Sequence, residues 1–548
     1  MLSHCLAISM GSGGPLEIIE HMKSGYLIPE SGAHDDFSPP ISLLEILARL
    51  FASGPEKNNS PHDIQRIIQN GYAKISEYFT MDNFTTTIIR DALSKITTKP
   101  LRIAMIHPMF TGIAGADRLI IEACLSLQSK GNTVNIFTTD YHLKQESFSD
   151  EGMVNITSIN THMPNSIFGY CVHPFNYLKS MILIVCALSR LLSHDMIICD
   201  QLPTGILILY FLMSLLCVKN ENRPILAYYC HYPDFAHVFL LKRGFILSAG
   251  RRFFSFLEKK AMQCSDIVYA NSGFTKTAII THFPQCHHVE VLYPGIPEFT
   301  PNFEISNSFF KENPVCAIIE NTNSMLSLNR FLPSKYLERI IALTNALKQK
   351  KTKLTTVIMG GGCGMDIEKL EYLSTLVAIC KAYSLSFTVA HANKIILCSK
   401  DQPTGAVDVL FVVNGTDEQK RFFLAHSKAL FYTASYEHFG MGIVEGMLSH
   451  CFPIAMASGG PLEIIEHMKS GYLVPEPTNG ASFSPPADLV NLLAKLYGNN
   501  LAREESPQDL KKIIENGYNR AKSLYTIEAF SDAIIKHYLA KSAISLPE

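Results

Sequence analysis

Two glutamates in the last quarter of the chain, Glu437 and Glu445, are separated by seven residues in the stretch YEHFGMGIVEGM. The stretch follows the apolar run ALFYTAS, which predicts a strand, and its glycines predict a loop before a helix that begins near Gly442. We expect Glu437 to project from that loop and Glu445 to lie in the first helical turns. Because a helix N-terminus presents N–H groups and partial positive charge, the start of this helix suits a phosphate.

Two further stretches carry residue types that suit a phosphorylated ligand. Ser458, Gly459 and Gly460 follow the predicted strand FPIAMA, and glycine lets the backbone approach a ligand closely. The pattern after them predicts a helix that runs from residue 461 to a glycine cap at residue 471. Arg330 and Lys335 follow another predicted strand, where two cations can hold a diphosphate and stabilise it as a leaving group. Taken singly, each stretch also fits an ordinary surface loop or turn.

These stretches lie within a long alternation of predicted strands and helices that starts at residue 100. The first series includes LRIAMIHP, DMIICD, PILAYYCH and SDIVYA, and the second includes LTTVIMGGG, VDVLFVVNG, ALFYTAS and FPIAMAS. Such alternation predicts an α/β protein with parallel, doubly wound sheets that bind ligands at the carboxyl ends of their strands. We predict two Rossmann-like domains facing across a cleft, residues 100–300 and 301–541, with a final helix over residues 507–539.

The beginning of the chain repeats its end. Met1 aligns with Met447, and the match continues without a gap at a constant offset of 446 (447 − 1) until it fades near residue 95. Only five of the first 30 positions differ. Two copies are too few for a solenoid, and the first copy starts after the positions of both glutamates. We predict that residues 1–97 are a duplicated fragment of the domain at residues 301–541, without chemistry of its own; the alternative is a working two-module protein.

Composition excludes some classes of function. The chain has 548 residues, with 47 basic and 49 acidic side chains, so it does not have the bulk charge that a nucleic-acid binder uses. Its 14 cysteines include no C-x-x-C pair, which favours a reducing compartment over a disulfide framework or a zinc site. No signal peptide is predicted at the start. Residues 201–218 carry no charge and meet the lower limit for a membrane span, and we predict contact with a membrane surface.

The three ligand-binding stretches, together with CHYPD (residues 230–234), CDQ (199–201), ANSGFT (270–275) and VLYPGI (291–296), resemble the retaining GT-B glycosyltransferases. Within them, they resemble the dolichol-pathway α-1,3/1,6-mannosyltransferases of glycosyltransferase family 4. The resemblance covers residues 100–541. It implies a GT-B fold and transfer of mannose from GDP-mannose to a dolichol-diphosphate-linked oligosaccharide, on the cytosolic face of the endoplasmic reticulum membrane. No metal or other cofactor is implied.

The resemblance also implies a role for individual residues. Arg330 and Lys335 would hold the diphosphate, Glu437 would contact the transferred mannose and Glu445 the ribose. His231 would lie near the donor sugar. The residues implied in catalysis are Glu437, His231, Lys335 and Arg330, and those implied in substrate binding are Gly115, Glu445, Ser458, Gly459 and Gly460.

The chain departs from the family in one loop, where Ala114 and Asp117 replace the usual glycine and glutamate around Gly115. Two other functions therefore stay open at this point. One is a lipid-directed GT-B transferase that uses a different sugar. The other is a non-catalytic duplicate that acts as a binding protein.

Overall fold

The computed structural model describes the following residues: 8–10, 26–28, 100–107, 109–110, 115–141, 154–161, 163, 172–200, 202–219, 223–233, 245–298, 307–361, 367–399, 406–477, 483–497 and 508–544. The chain divides into two compact units, Met1–Lys99 and Pro100–Glu548. The domain boundaries predicted within the second unit stay predictions.

In the first unit, the structure describes two short strands, β1 (Ile8–Met10) and β2 (Tyr26–Ile28). They are parallel, and Ile8 lies opposite Tyr26. The other expectations about residues 1–97 lie outside the described residues.

The first half of the second unit is built on a parallel sheet. Its strands are β3 (Arg102–Ile106), β4 (Met109–Phe110), β5 (Thr133–Thr138), β6 (Asp140–Tyr141), β7 (Asn155–Ser158), β8 (Met196–Asp200), β9 (Ile225–Cys230), β10 (Ile267–Ala270) and β11 (Val289–Val291). Its helices are α1 (Gly115–Ser129), α2 (Val172–Leu191), α3 (Thr204–Leu215), α4 (Phe245–Cys264) and α5 (Gly273–His282). The sheet has the order β11-β10-β9-β8-β3-β5-β7, while β4 and β6 form a separate two-stranded pair.

Burial explains why these segments form strands. Every residue of β8 is buried, as a continuous apolar run in a parallel sheet covered on both faces requires. Helices α2, α3 and α4 share one core on one face of the sheet, through side chains such as Leu183, Leu209 and Met262. Helix α1 covers the other face. Among the described residues, no helix has the length and apolar character needed to cross a membrane.

The second half carries an eight-stranded sheet. Its strands are β12 (Ser324–Leu328), β13 (Thr355–Gly360), β14 (Phe387–His391), β15 (Lys394–Cys398), β16 (Val409–Val413), β17 (Ser427–Tyr432), β18 (Phe452–Met456) and β19 (Tyr472–Val474). The order is β15-β14-β16-β13-β12-β17-β18-β19, and all neighbours are parallel except β14 and β15. Its helices are α6 (Asn307–Glu312), α7 (Pro314–Ala317), α8 (Glu338–Gln349), α9 (Ile367–Ala382), α10 (Asp417–His426), α11 (Met441–Leu448), α12 (Pro461–Ile464), α13 (Ala487–Tyr497), α14 (Gln508–Leu524) and α15 (Ile527–Ile544).

Two predicted helices differ from the observed ones. The helix predicted over residues 461–471 is wrong, because α12 ends at Ile464 and the chain is extended at Ile465. The backbone N–H of Glu466 then donates to the Ser470 hydroxyl at 2.9 Å, so a side chain replaces the helical hydrogen bond. Tertiary packing and side-chain bonds therefore override the local pattern here.

The single final helix predicted over residues 507–539 is also wrong, because α14 and α15 are separate helices. The break lets α15 leave the second sheet and return to the first. Phe530 and Ile534 of α15 are buried in the core beneath α1. The last helix in the chain thus ties the two halves of the second unit together.

Candidate active site

The carboxylate of Glu437 lies in the loop between β17 and α11. Its Oε2 atom accepts a hydrogen bond of 2.8 Å from the Tyr432 hydroxyl and pairs with Nζ of Lys335. The Lys335 and Glu437 side chains are only 15% and 16% exposed. Burial raises the pKa of Glu437, but the charge and hydrogen bond of Lys335 and the bond from Tyr432 outweigh it, so the pKa lies below its ordinary value. Glu437 is therefore an anion at neutral pH.

The predicted cations lie at the carboxyl end of β12. Lys335 ends a short 3-10 helix, and its carbonyl oxygen accepts a hydrogen bond of 2.6 Å from the Thr433 hydroxyl. Arg330 is exposed, and among the residues that the structure describes its guanidinium pairs with no carboxylate. Burial and the charge of Glu437 raise the pKa of Tyr432, while the charge of Arg330 lowers it. Both cations therefore act on the group formed by Tyr432 and Glu437.

Ser458, Gly459 and Gly460 hold the backbone of the Glu437 loop. Gly459 forms a parallel bridge with Glu437, and the Gly460 N–H donates to the Glu437 carbonyl oxygen at 2.8 Å. Gly459 has a φ of +67°, and a Cβ on Gly460 would lie 2.6 Å from the carbonyl oxygen of His438. Glycine is therefore required at both positions. These residues shape the loop, in addition to any contact with a ligand.

Glu445 lies in helix α11, which follows the Glu437 loop in sequence. Its carboxylate pairs with Lys420, and the two side chains are 13% and 25% exposed. Helix α11 begins at Met441, which confirms the predicted helix start near Gly442. A Cβ on Gly442 would lie 3.3 Å from both the Leu328 carbonyl oxygen and the Tyr432 ring. The N-terminus of α11 therefore lies beside the end of β12, close to the predicted cations.

His231 follows β9 of the first sheet and belongs to a three-residue network. Its Nε2 atom lies 2.8 Å from Oδ1 of Asp200, and Nδ1 of His107 lies 2.7 Å from Oδ2 of the same carboxylate. Burial raises the pKa of Asp200, but the charge and hydrogen bonds of His231 and His107 outweigh it, so the pKa lies well below its ordinary value. Asp200 is therefore ionised and fixes which ring nitrogen of His231 faces away from it.

Aromatic stacking connects the His231 side of the site to the Glu437 side. The rings of Tyr232 and His438 stack with their centroids 3.9 Å apart and their planes at 7°. Tyr232 follows His231 in sequence, and His438 follows Glu437. The structure therefore brings His231, Glu437, Lys335 and Arg330 to one region between the two sheets.

Gly115 is placed less completely than the other predicted residues. It is the first residue of α1, which follows β3 in the first sheet. The preceding loop, with Ala114, lies outside the described residues.

Sequence reasoning missed Tyr432 and gave no role to Asp200. A signal for Asp200 was present, because His107, Asp200 and His231 end or follow β3, β8 and β9, which are neighbours in the sheet. Tyr432 ends β17 and left no comparable signal. Among the described residues, no group of three or more His, Cys, Asp or Glu side chains is arranged to hold a metal ion.

The chain resembles known glycosyltransferases in sequence. Residues 397–520 match the family described as glycosyl transferases group 1. The alpha-1,3/1,6-mannosyltransferase ALG2 of Rhizomucor pusillus is 30% identical over 394 residues, which is 69% of this chain and 82% of the relative. The protein of the same name from Saccharomyces cerevisiae is 29% identical over 378 residues, 67% of this chain and 72% of the relative.

Solved structures show the same fold at much lower identity. Sucrose-phosphate synthase from Thermosynechococcus elongatus has a TM-score of 0.55 at 15% identity, over 81% of this chain and 100% of that chain. A glycosyltransferase from Rickettsia africae has a TM-score of 0.55 at 16% identity, over 81% of this chain and 99% of that chain. The predicted GT-B fold, with two Rossmann-like domains facing across a cleft, is confirmed. With the sequence relatives, these findings show that the chain belongs to the family of alpha-1,3/1,6-mannosyltransferases, which are glycosyltransferase enzymes.

Proposed function

We propose that this enzyme transfers mannose from GDP-mannose to a dolichol-diphosphate-linked core oligosaccharide, first in α-1,3 and then in α-1,6 linkage. The observation that carries the proposal is the cluster of Lys335, Glu437 and Tyr432 with Arg330 beside it. This cluster supplies positive charge for a diphosphate and a fixed anion for a sugar. Family membership supports mannose as the sugar.

The diphosphate of the donor is the group that the cations fit. Arg330 and Lys335 stand at the carboxyl end of β12, next to the N-terminus of α11. Their charges, and the helix N–H groups, stabilise the negative charge that develops on the leaving phosphate. Because these two cations supply that charge, we propose that the reaction needs no bound metal.

The state of Glu437 bears on how the configuration of the sugar is kept. Its carboxylate is bound by Lys335 and Tyr432 and has a lowered pKa, which makes it a weak nucleophile and a good partner for sugar hydroxyls. A same-face displacement is therefore favoured over a covalent intermediate. The bond from the anomeric carbon to the phosphate oxygen breaks, the acceptor hydroxyl forms its bond on the same face, and its proton passes to the departing phosphate.

We propose that the enzyme works at the cytosolic face of the endoplasmic reticulum membrane, where α2, α3 and α4 contact the lipid. These helices pack on the same face of the first sheet, and their outer sides expose large apolar residues. Among the side chains of these helices that the structure describes, the five most exposed are Val185 (59%), Phe211 (64%), Leu215 (65%), Phe253 (58%) and Phe256 (54%).

Charge supports the same orientation toward lipid. The single acidic residue of the three helices, Glu258, is buried, whereas Arg190, Arg252 and Lys260 are exposed. An apolar surface with a basic rim fits an anionic lipid surface. Phe211→Ser should lower binding to vesicles with anionic lipid by about 10-fold or more. Ile396→Ser changes an apolar residue of equal exposure, 64%, on β15 and is the matched control; equal binding of both variants would contradict the proposal.

We propose that residues 1–97 are a duplicated fragment of the donor domain without catalytic activity. Strands β18 and β19 pair with Ile454 opposite Tyr472. Subtracting the offset of 446 gives Ile8 opposite Tyr26, the register in which β1 and β2 pair. The repeat therefore extends to strand pairing. Residues 1–97 align with residues 447–543, and the predicted catalytic residues Glu437, His231, Lys335 and Arg330 all lie outside that range.

The function is tested with the purified full-length protein, GDP-mannose and a dolichol-linked acceptor that carries one mannose. We expect product with one and then two added mannoses, and no product from Glu437→Ala. Transfer from another nucleotide sugar, but not from GDP-mannose, would make the enzyme a different lipid-directed transferase. A folded protein that transfers no sugar from any donor would make it a non-catalytic binding protein.

A further inference from the structure

The carboxylate of Glu463 connects the two domains of the GT-B fold. Glu463 lies in α12, directly after the Gly459–Gly460 turn of the second sheet. Its Oε2 atom accepts the N–H of Gly273 at 2.7 Å and its Oε1 atom accepts the N–H of Phe274 at 2.6 Å. Gly273 and Phe274 are the first two residues of α5, which belongs to the first sheet. A side chain of one domain therefore caps a helix of the other.

The cap is complete for the first turn of α5. Ser272 precedes the helix, and its hydroxyl oxygen accepts the N–H of Thr275 at 3.0 Å. The same hydroxyl lies 2.6 Å from the carbonyl oxygen of His438, to which it donates. Ser272 and Glu463 together thus satisfy the N–H groups of the first three helical residues, and both link α5 to the second domain.

The residues around Glu463 fix its position. Arg520 donates from Nη2 to the Glu463 carbonyl oxygen at 2.8 Å, and the Tyr525 hydroxyl donates to the same oxygen at 3.1 Å. The Tyr293 hydroxyl donates to Glu463 Oε2 at 3.2 Å. A Cβ on Gly273 would lie only 3.1 Å from the same oxygen. The backbone of Glu463 is therefore held by its own domain, while its carboxylate is bound by Gly273, Phe274 and Tyr293 of the other domain.

The contact between Glu463 and α5 lies beside the residues that are proposed to take part in the reaction. His438 follows Glu437, and its ring stacks on Tyr232, which follows His231. Gly460, which stands three residues before Glu463, donates its N–H to the Glu437 carbonyl oxygen. Any rotation of one domain that separates Glu463 from α5 also moves the Glu437 loop away from His231.

We propose that Glu463 is a positioning residue that holds the two domains together and keeps the Glu437 loop opposite His231. The inference rests on the proposed function for its link to sugar transfer, but not for the contact itself. Donor binding uses groups of the second domain, whereas transfer needs both domains in register. Loss of the Glu463 contact therefore lowers the transfer rate more than it lowers donor affinity.

The test compares Glu463→Gln with Glu466→Gln in the full-length protein. Glutamine keeps the size of Glu463 but can accept only one of the two N–H bonds. Glu466 is a matched control, because it is a glutamate three residues after Glu463 whose partner belongs to its own domain. Its Oε1 atom accepts a hydrogen bond of 2.7 Å from Nη1 of Arg520. Hydrogen–deuterium exchange is measured at Gly273 and Phe274, and KM, kcat and the GDP affinity are measured separately.

We expect Glu463→Gln to speed exchange at these two amides by about tenfold, because charge-assisted hydrogen bonds at a helix start are lost. We expect kcat to fall by about tenfold or more while GDP affinity changes less than about threefold, and Glu466→Gln to resemble the wild type in each measurement. Gly273→Ala, which crowds the same carboxylate, should repeat the effect on kcat.

Unchanged exchange in Glu463→Gln would overturn the proposal, as would equal losses of kcat and GDP affinity, which indicate general damage to the donor domain. If the wild-type protein transfers no mannose, the proposed function fails. The domain contact is then tested without activity, by exchange at Gly273 and Phe274 and by the radius of gyration in solution. We expect the radius of gyration of Glu463→Gln to be larger than that of the wild type.

Discussion

Replacing Glu437 by glutamine keeps the shape of the side chain but removes the charge that balances Lys335. The Tyr432 hydroxyl, which lies 2.8 Å from Oε2, can still donate to the amide oxygen of the new side chain. The change therefore isolates the ion pair with Lys335. We expect lower stability and lower transfer activity from this one substitution, for different reasons.

The size of the stability effect follows from burial. At an effective dielectric constant of about 20, two unit charges about 3 Å apart attract by roughly 5 kcal/mol, and removal of the ions from water offsets part of this. Fully buried pairs lose about 3–5 kcal/mol when one partner is removed. Because the two side chains keep 15% and 16% exposure, we expect a loss of about 2–4 kcal/mol. In a unit of this size, that lowers the melting temperature by about 2–4 °C.

The assay is a double-mutant cycle with Lys335→Met, followed by thermal or urea unfolding of each variant. The coupling energy between the two positions should be about 2 kcal/mol. The pair Lys348–Asp408 is the control, since its side chains are 45% and 23% exposed and lie away from the site. Its coupling should stay below about 1 kcal/mol, and its variants should keep the wild-type transfer rate.

Transfer activity gives the second half of the prediction. Glu437→Gln should lower kcat by about 100-fold or more, because a neutral amide no longer fixes Lys335 or binds the sugar as an anion. A coupling energy near zero would refute the account of the ion pair. A full transfer rate in a folded Glu437→Gln protein would refute the role of the anion.

Three further predictions concern the glycine turn, the buried aspartate and the repeat. Gly460→Ala should destabilise the protein by about 1–3 kcal/mol and lower kcat, because its Cβ would meet backbone atoms at 2.6 Å; unchanged unfolding and activity would contradict this. Burial raises the pKa of Asp200, but the charges and hydrogen bonds of His231 and His107 outweigh that effect, so the pKa is lower in the folded protein than in the unfolded chain. The Asp200 carboxylate therefore stabilises the fold fully above about pH 4, and this stabilisation decreases as the pH falls toward the pKa of the folded state. The difference in unfolding free energy between wild type and Asp200→Asn should therefore shrink below about pH 4, and a constant difference from pH 7 to pH 3 would contradict the assignment. Deletion of residues 1–97 should leave the transfer rate within about twofold of wild type, and a severe loss would show that the repeat contributes to activity.

Local sequence patterns were sufficient for the class of fold and for the position of several site residues. Buried apolar runs predicted β8 and β18, and the glycines after ALFYTAS predicted the loop of Glu437 and the helix that begins at Met441. These features depend on neighbours within a few residues. Hydrophobic period and turn residues report such neighbours directly.

Local patterns failed where distant segments decide the conformation. The helix predicted over residues 461–471 ends at Ile464, and the final helix breaks so that α15 can pack on the first sheet. Strand β15, which is antiparallel in an otherwise parallel sheet, was not predicted. In each case a contact from another element outweighs the local preference.

Residues at strand ends and turns that need glycine can be identified from the amino-acid sequence, because they depend on backbone geometry over a few positions. Contacts between distant side chains depend on the folded arrangement of the sheets. Lys335 and Glu437 are 102 positions apart, His107 and Asp200 are 93 apart, and Glu463 lies 190 positions from the Gly273 amide that it binds. Such pairs form when two sheets are folded and placed against each other, and no local period records that arrangement.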